Sequence, residues 1–168
     1  MKLLKMSSYL LAVGLAFGAS TAVYAEPKPL TNKKELVGCY ERINFSAELS
    51  KLMNEIGYIE SPYEWFCFDK NSKFSSMGST VYEAQTTKGL SKTLDSLPQV
   101  FKYDYVTKGV AKTEALNGQQ TLYWQVTFLD KDITTPDGVF IPKNTLVMGL
   151  INPETDKVVY WRYLKKLK

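Results

Sequence analysis

The 168-residue sequence contains no histidine. That absence removes the usual general base and the commonest transition-metal ligand, so His-dependent triads, HExxH zinc sites and catalytic imidazoles are excluded. Serines are plentiful, yet with no imidazole and no Ser-x-x-Lys a serine nucleophile has no activating base. Cysteine is almost as scarce. Cys39 and Cys67 are the only two, and they do not form the CxxC spacing of a redox motif. Charge of one sign is also in short supply: 21 Lys plus Arg against 17 Asp plus Glu gives a formal +4, and Lys2 and Lys5 supply two of those charges. A surplus this small does not provide the dense cation array of a dedicated nucleic-acid binder. Carboxylates lack a catalytic or EF-hand spacing. Glu60 and Glu64 flank Pro62, and Asp130, Asp132 and Asp137 cluster further on; both groups read as solvated surface charges. The expectation is a protein that is not an enzyme and has neither cofactor nor metal.

What is present begins with an amino-terminal targeting pattern. Two lysines lie within residues 1–5, an apolar run covers residues 9–17, and Val23-Tyr24-Ala25 offers modest side chains for a signal peptidase. Residues 1–25 are therefore expected to be a signal peptide cleaved after Ala25, and the destination periplasmic or secreted. No later segment is long and apolar enough to span a bilayer. In an oxidising compartment Cys39 and Cys67 are expected to form one disulfide, with two buried free thiols as the alternative.

The Pro-containing segment 26–32 reads as a mobile leader, after which Thr31 is placed to cap a short turn through Lys33, Lys34 and Glu35. Residues 33–168 form one domain. Alternation over residues 36–45 predicts a first strand. Leu49, Leu52, Met53 and Ile56, between Ser46 and Gly57, follow helical spacing, which predicts a helix over 47–56. Residues 64–69 and 73–77 read as a hairpin, 81–85 as a further short strand, and Leu90, Leu94 and Leu97 as a second, short helix. From residue 100 onward the chain alternates strands with turns: 100–107, 110–115, 121–130, 145–152 and 157–164, with Asn117-Gly118 as the strongest hairpin signal. Seven to nine strands with one or two short helices predict a mainly β fold, an antiparallel meander closing into a small barrel.

Near the start of the first strand stands Leu36-Val37-Gly38-Cys39-Tyr40, preceded by a short helical turn, and the strand series ends in Tyr160-Trp161-Arg162-Tyr163. This resembles the lipocalin-like calycin barrels, which open with a Gly-x-Trp strand beneath a short helix and pack a basic residue from the last strand across the indole. The resemblance implies structural roles for Gly38, for Tyr40 in the tryptophan's place, and for Arg162 as the basic residue. It further implies a cup that holds a small apolar or amphipathic molecule.

The residues permit such a cup. Phe101, Tyr103 and Tyr105 share one strand face, and Leu122, Trp124, Val126 and Phe128 share another. Phe101, Tyr103, Tyr105, Trp124, Phe128, Met148 and Trp161 are the candidate ligand-binding residues. The same side chains also suit a barrel filled solid by its own core. The first expectation is thus a non-catalytic binding protein for a small hydrophobic or amphipathic ligand. The second is an envelope protein-binding module, of inhibitor or immunity type, with a solid core. The loop 132–144 carries Val139, Phe140 and Ile141, which suits a lid, a protein contact or a short buried strand. The basic tail Lys165-Lys166-Leu167-Lys168 suits an anionic surface or partner, or simply a solvated end.

Overall fold

The computed structural model describes residues 27–44, 61–98 and 101–168. The expected signal peptide and the helix expected over 47–56 lie outside them. Eleven strands are described: β1 (Lys28–Pro29), β2 (Gly38–Arg42), β3 (Tyr63–Phe68), β4 (Lys73–Ser79), β5 (Phe101–Thr107), β6 (Val110–Ala115), β7 (Thr121–Phe128), β8 (Ile133–Thr134), β9 (Phe140–Ile141), β10 (Leu146–Ile151) and β11 (Val158–Lys166). A 3-10 turn (Lys33–Leu36) precedes β2, and helix α1 (Thr87–Asp95) precedes β5.

Each of β2 to β7, then β10 and β11, pairs antiparallel with the next, and β11 returns to β2 to close an eight-stranded barrel. Closure leaves no ring strand without neighbours, which satisfies ladder groups that an open sheet would expose. At the end of β7 the short β1 adds an extra strand, with Lys28 opposite Phe128 and Pro29 opposite Thr127. A proline is tolerated there because an edge position does not need its N–H. Next to it Leu30 is fully buried and its N–H donates to the Val126 carbonyl at 3.0 Å.

Alternation along the strands sorts the side chains. Tyr40, Phe66, Phe68, Tyr103, Ala111, Trp124, Val126, Leu146, Met148 and Leu164 meet in the interior, joined by Leu30 and Leu36 from the amino-terminal segment. Rings form a continuous inner ladder, from Tyr40 edge-on to Phe68 (5.9 Å between centroids), through Phe74 (5.0 Å), to Phe101 (6.3 Å). These offset and edge-on geometries are the ones aromatic quadrupoles favour.

Two apolar layers cover the barrel from outside. Leu90 and Leu94 of α1 pack on Trp65 and on the Cys39–Cys67 disulfide, at the outer face of β2 and β3. The helix starts where Thr86 Oγ1 accepts from the Gly89 N–H at 3.1 Å, and burial of its two leucines contributes about 1.5–3 kcal/mol each. Leu97 lies beyond the helix and is exposed. The β8–β9 hairpin forms the second layer: Ile141, Ile133 and Val139 pack with Leu129, Val147, Trp161 and Tyr163. The loop 132–144 is therefore a short strand pair against the wall.

Two expectations are corrected here. Residues 81–85 form no strand; the Val81 N–H turns back to Ser79 Oγ, and Tyr82 lies over Tyr63 and Trp65 instead of pairing in the sheet. The 3-10 turn is capped by Asn32, whose Oδ1 accepts from the Lys34 N–H at 3.0 Å, while Thr31 donates through both its N–H and its hydroxyl to Glu35.

Candidate functional site

The barrel has two unlike ends. One is plugged by the 3-10 turn: Leu30, Leu36, Tyr40 and Leu164 are almost completely buried, and the Tyr40 hydroxyl donates to the Leu36 carbonyl at 3.0 Å. Tyr103 closes the same end, with its hydroxyl donating to the Asp69 carbonyl in the β3–β4 turn. Burial, and then the carboxylates of Asp69 and Asp104, push its phenol up to about 12; burial raises that of Tyr40 as well. Tyr105 and Phe128, half-buried, pack against the core lower in the barrel.

At the other end the inward-facing side chains remain partly open. Phe74, Phe101, Leu122 and Leu150 are half-buried, and Ser76 and Gly78, on the same face of β4 as Phe74, are exposed. Along β4 the ring of Phe74 is thus followed by small residues. Inward-facing Thr113 accepts from Trp124 Nε1 at 3.0 Å, which satisfies the indole inside the wall.

Charge also enters the mouth. Arg42 and Glu64 face inward on neighbouring strands and pair at 3.0 Å, with the Arg42 side chain only 3% exposed. Arg42 Nη2 also donates to the carbonyls of Ser61 (3.0 Å) and Pro62 (2.9 Å). Glu64, expected at the surface, is therefore an interior anion held by an interior cation. Arg162 projects from β11 toward the barrel axis. Its guanidinium carbon lies 5.0 Å from the Phe66 ring centroid and 5.3 Å from that of Trp124. Those rings stand on β3 and β7, four strands apart in an eight-stranded ring and hence on opposite walls. The Tyr160 ring is 5.2 Å away, and Arg162 Nε donates to its hydroxyl at 3.3 Å. No carboxylate among the described residues pairs with Arg162.

The seven candidate lining residues thus divide. Phe101 belongs to the mouth, while Tyr103, Tyr105, Trp124, Phe128 and Met148 belong to the interior packing. Trp161 faces outward, beneath the hairpin and flat against Gly149, where a Cβ would lie 2.6 Å from its Cζ3. The basic residue over Tyr40 is Lys166, not Arg162. Its Nζ is 5.8 Å from the ring centroid and donates to the Val37 carbonyl at 2.9 Å, because the β11–β2 register sets Lys166 opposite Tyr40. Gly38 adopts φ +143°, a conformation that residues with a side chain rarely take, which is why a glycine stands there, and the end of the Lys166 side chain lies over it. The tail is fastened by its backbone: Leu167 N–H donates to the Cys39 carbonyl, and the Lys168 carbonyl accepts from Thr87 N–H.

Arg42, Glu64 and Arg162 were not expected as mouth residues. The signal was available in parity, since Arg42 follows Tyr40 by two and Glu64 precedes Phe66 by two. The closed eight-stranded antiparallel barrel is consistent with a lipocalin-like architecture. No family model, no curated protein and no solved structure matches the chain, so its functional reading rests on this geometry.

Proposed function

We propose that this chain is an exported, non-catalytic binding protein whose barrel mouth holds a small hydrophobic or amphipathic ligand. One observation carries the reading: Phe74, Phe101, Leu122 and Leu150, apolar side chains that face into the barrel, are only half-buried at the end away from the 3-10 turn, whereas Leu30, Leu36, Tyr40 and Leu164 beside that turn are almost completely buried. A cup lined by rings and aliphatic groups with a few polar ones is the usual chemistry of a ligand site. Export is supported by the Cys39–Cys67 disulfide together with the amino-terminal sequence pattern. Among the described residues no helix is long and apolar enough to cross a membrane.

The test is native mass spectrometry of the protein purified from an oxidising compartment, followed by titration with dodecanol under tryptophan fluorescence. Stoichiometric retention of an apolar molecule, or a saturable change in Trp124 emission, is the expected result. Recovery of a stoichiometric protein partner, with no small molecule and no response to dodecanol, would replace the cup with the protein-binding alternative.

A further inference from the structure

We infer that the sealed end of the barrel is a docking face for an anionic lipid bilayer, which it meets through lysines on its turns, with the mouth turned away from the membrane. The inference does not use the cup reading, since a barrel with a solid core would dock in the same way.

Chain reversals bring the lysines together. Four segments meet at this end and each contributes an exposed one: Lys34 in the 3-10 turn, Lys70 in the β3–β4 turn, Lys108 in the β5–β6 turn and Lys166 at the end of β11. The 3-10 turn is the hub. Its Lys33 donates to the Ser72 hydroxyl in the turn that holds Lys70, and Lys166 donates to the Val37 carbonyl at 2.9 Å. Beside Lys108, the Gly109 N–H donates at 2.7 Å to the carbonyl of Leu30, just before the hub.

Carboxylates around the hub are already engaged. Glu35 is held by Lys28 at 3.4 Å and by Thr31, Asp104 by Lys33 at 3.8 Å, and Asp95 by Lys73 at 3.0 Å. Asp69 accepts from the N–H groups of Asn71 and Lys73, which ties it into its own turn. Asp130 and Asp132 stand to one side, where the chain leaves β7 for the β8–β9 hairpin. Among the described residues no carboxylate pairs with Lys34, Lys70, Lys108 or Lys166. The turns at the mouth have the opposite character: 116–120 is uncharged, and the β10–β11 turn sets Glu154 and Asp156 against Lys157.

The shape and the cation type select a bilayer. Leu36 and Tyr40 fill this end, so the lysines surround a plug and not a cleft. Both arginines of the chain, Arg42 and Arg162, are inside the barrel, which leaves lysine as the only surface cation. Guanidinium forks and stacking rings are what grip single phosphates and bases. Ammonium groups on flexible stems are point charges, and a plane of anionic headgroups attracts each of them without requiring a fixed geometry.

The experiment is co-sedimentation with vesicles of phosphatidylcholine alone or with about 30% phosphatidylglycerol, at about 0.05 M and about 0.5 M salt. Wild type is expected to bind only the anionic vesicles and to release them at the higher salt. The variant Lys34→Gln, Lys70→Gln, Lys108→Gln should weaken binding roughly tenfold or more. Its control, Gln119→Glu, Gln120→Glu, Lys157→Gln, lowers the net charge equally on the turns at the mouth and should retain the wild-type partition. Circular dichroism checks the fold, and single Lys→Gln variants carry the comparison if a triple variant misfolds. Equal loss in both triple variants would overturn the face and leave only net charge. Absence of binding to anionic vesicles at low salt, or equal binding to neutral ones, would overturn the proposal outright. Displacement from vesicles by poly-glutamate at matched charge would replace the bilayer with an acidic protein partner. None of these outcomes depends on whether the barrel takes up dodecanol.

Discussion

Arg42 and Glu64 form an ion pair of 3.0 Å inside the barrel, one residue from β2 and one from β3, with side-chain exposures of 3% and 20%. The pair stands at the mouth, where each strand's inward parity changes from rings to charge. Removing one partner leaves the other in a poor solvent. Glu64→Leu is therefore expected to destabilise by about 3 kcal/mol, whereas Arg42→Met with Glu64→Leu should recover most of that loss. Urea unfolding of the two single variants and the double variant measures the coupling. Additive losses would show that the pair is solvated and worth little.

Gly149 is expected to tolerate no side chain. Trp161 Cζ3 and Cε3 and Val158 Cγ1 all lie within 2.8 Å of the position its Cβ would take. The Trp161 ring is held under the β8–β9 hairpin, so it has little room to retreat. Gly149→Ala should cost about 1–3 kcal/mol through overpacking, read as a lower unfolding midpoint. Trp161→Phe alone should leave dodecanol titration unchanged, because the indole lies outside the barrel. A lost fluorescence response in that variant would place the ligand on the outer wall.

The disulfide joins directly opposed residues of β2 and β3 and closes the connection between them. Loop-closure entropy for 28 intervening steps gives about 3.5 kcal/mol of stabilisation. Reduction, or replacement of both cysteines by alanine, should lower the urea midpoint accordingly. An unchanged midpoint would mean that residual structure already restrains that loop in the unfolded chain.

Alkaline pH should loosen the sealed end. Burial, followed by the charges of Asp69 and Asp104, pushes the Tyr103 phenol to about 12, and burial likewise raises Tyr40, where a free tyrosine has 10.0. A raised folded-state value means the folded protein holds these protons more tightly than the unfolded chain does. The associated stability is whole below pH 10 and is lost as pH rises from 10 through 12. Tyrosinate absorbance recorded alongside circular dichroism should show Tyr40 and Tyr103 ionising only as the fold is lost. Ionisation of every tyrosine near pH 10 with the fold intact would contradict this.

Much of the architecture was legible in the residues themselves. Period-two alternation and turn signals marked seven of the eight ring strands close to their observed bounds, and Asn117-Gly118 marked the β6–β7 turn, with Gly118 at φ +72°. Compartment logic paired Cys39 with Cys67. The short run at 81–85 misled because exposed Val81 and Tyr82 have strand-forming side chains but no neighbouring strand to pair with.

The inner face of β11 was beyond a sequence reading. In Tyr160-Trp161-Arg162-Tyr163 both parities are aromatic, because the barrel buries one side and the β8–β9 hairpin covers the other. Only the register, Met148 opposite Arg162 and Lys166 opposite Tyr40, sends Arg162 to the axis, Trp161 to the wall and Lys166 onto the amino-terminal tyrosine. Local pattern determines that a strand forms and which residues share a face. Which face becomes the interior is decided by what packs against each, and for this chain that choice put a cation among the rings.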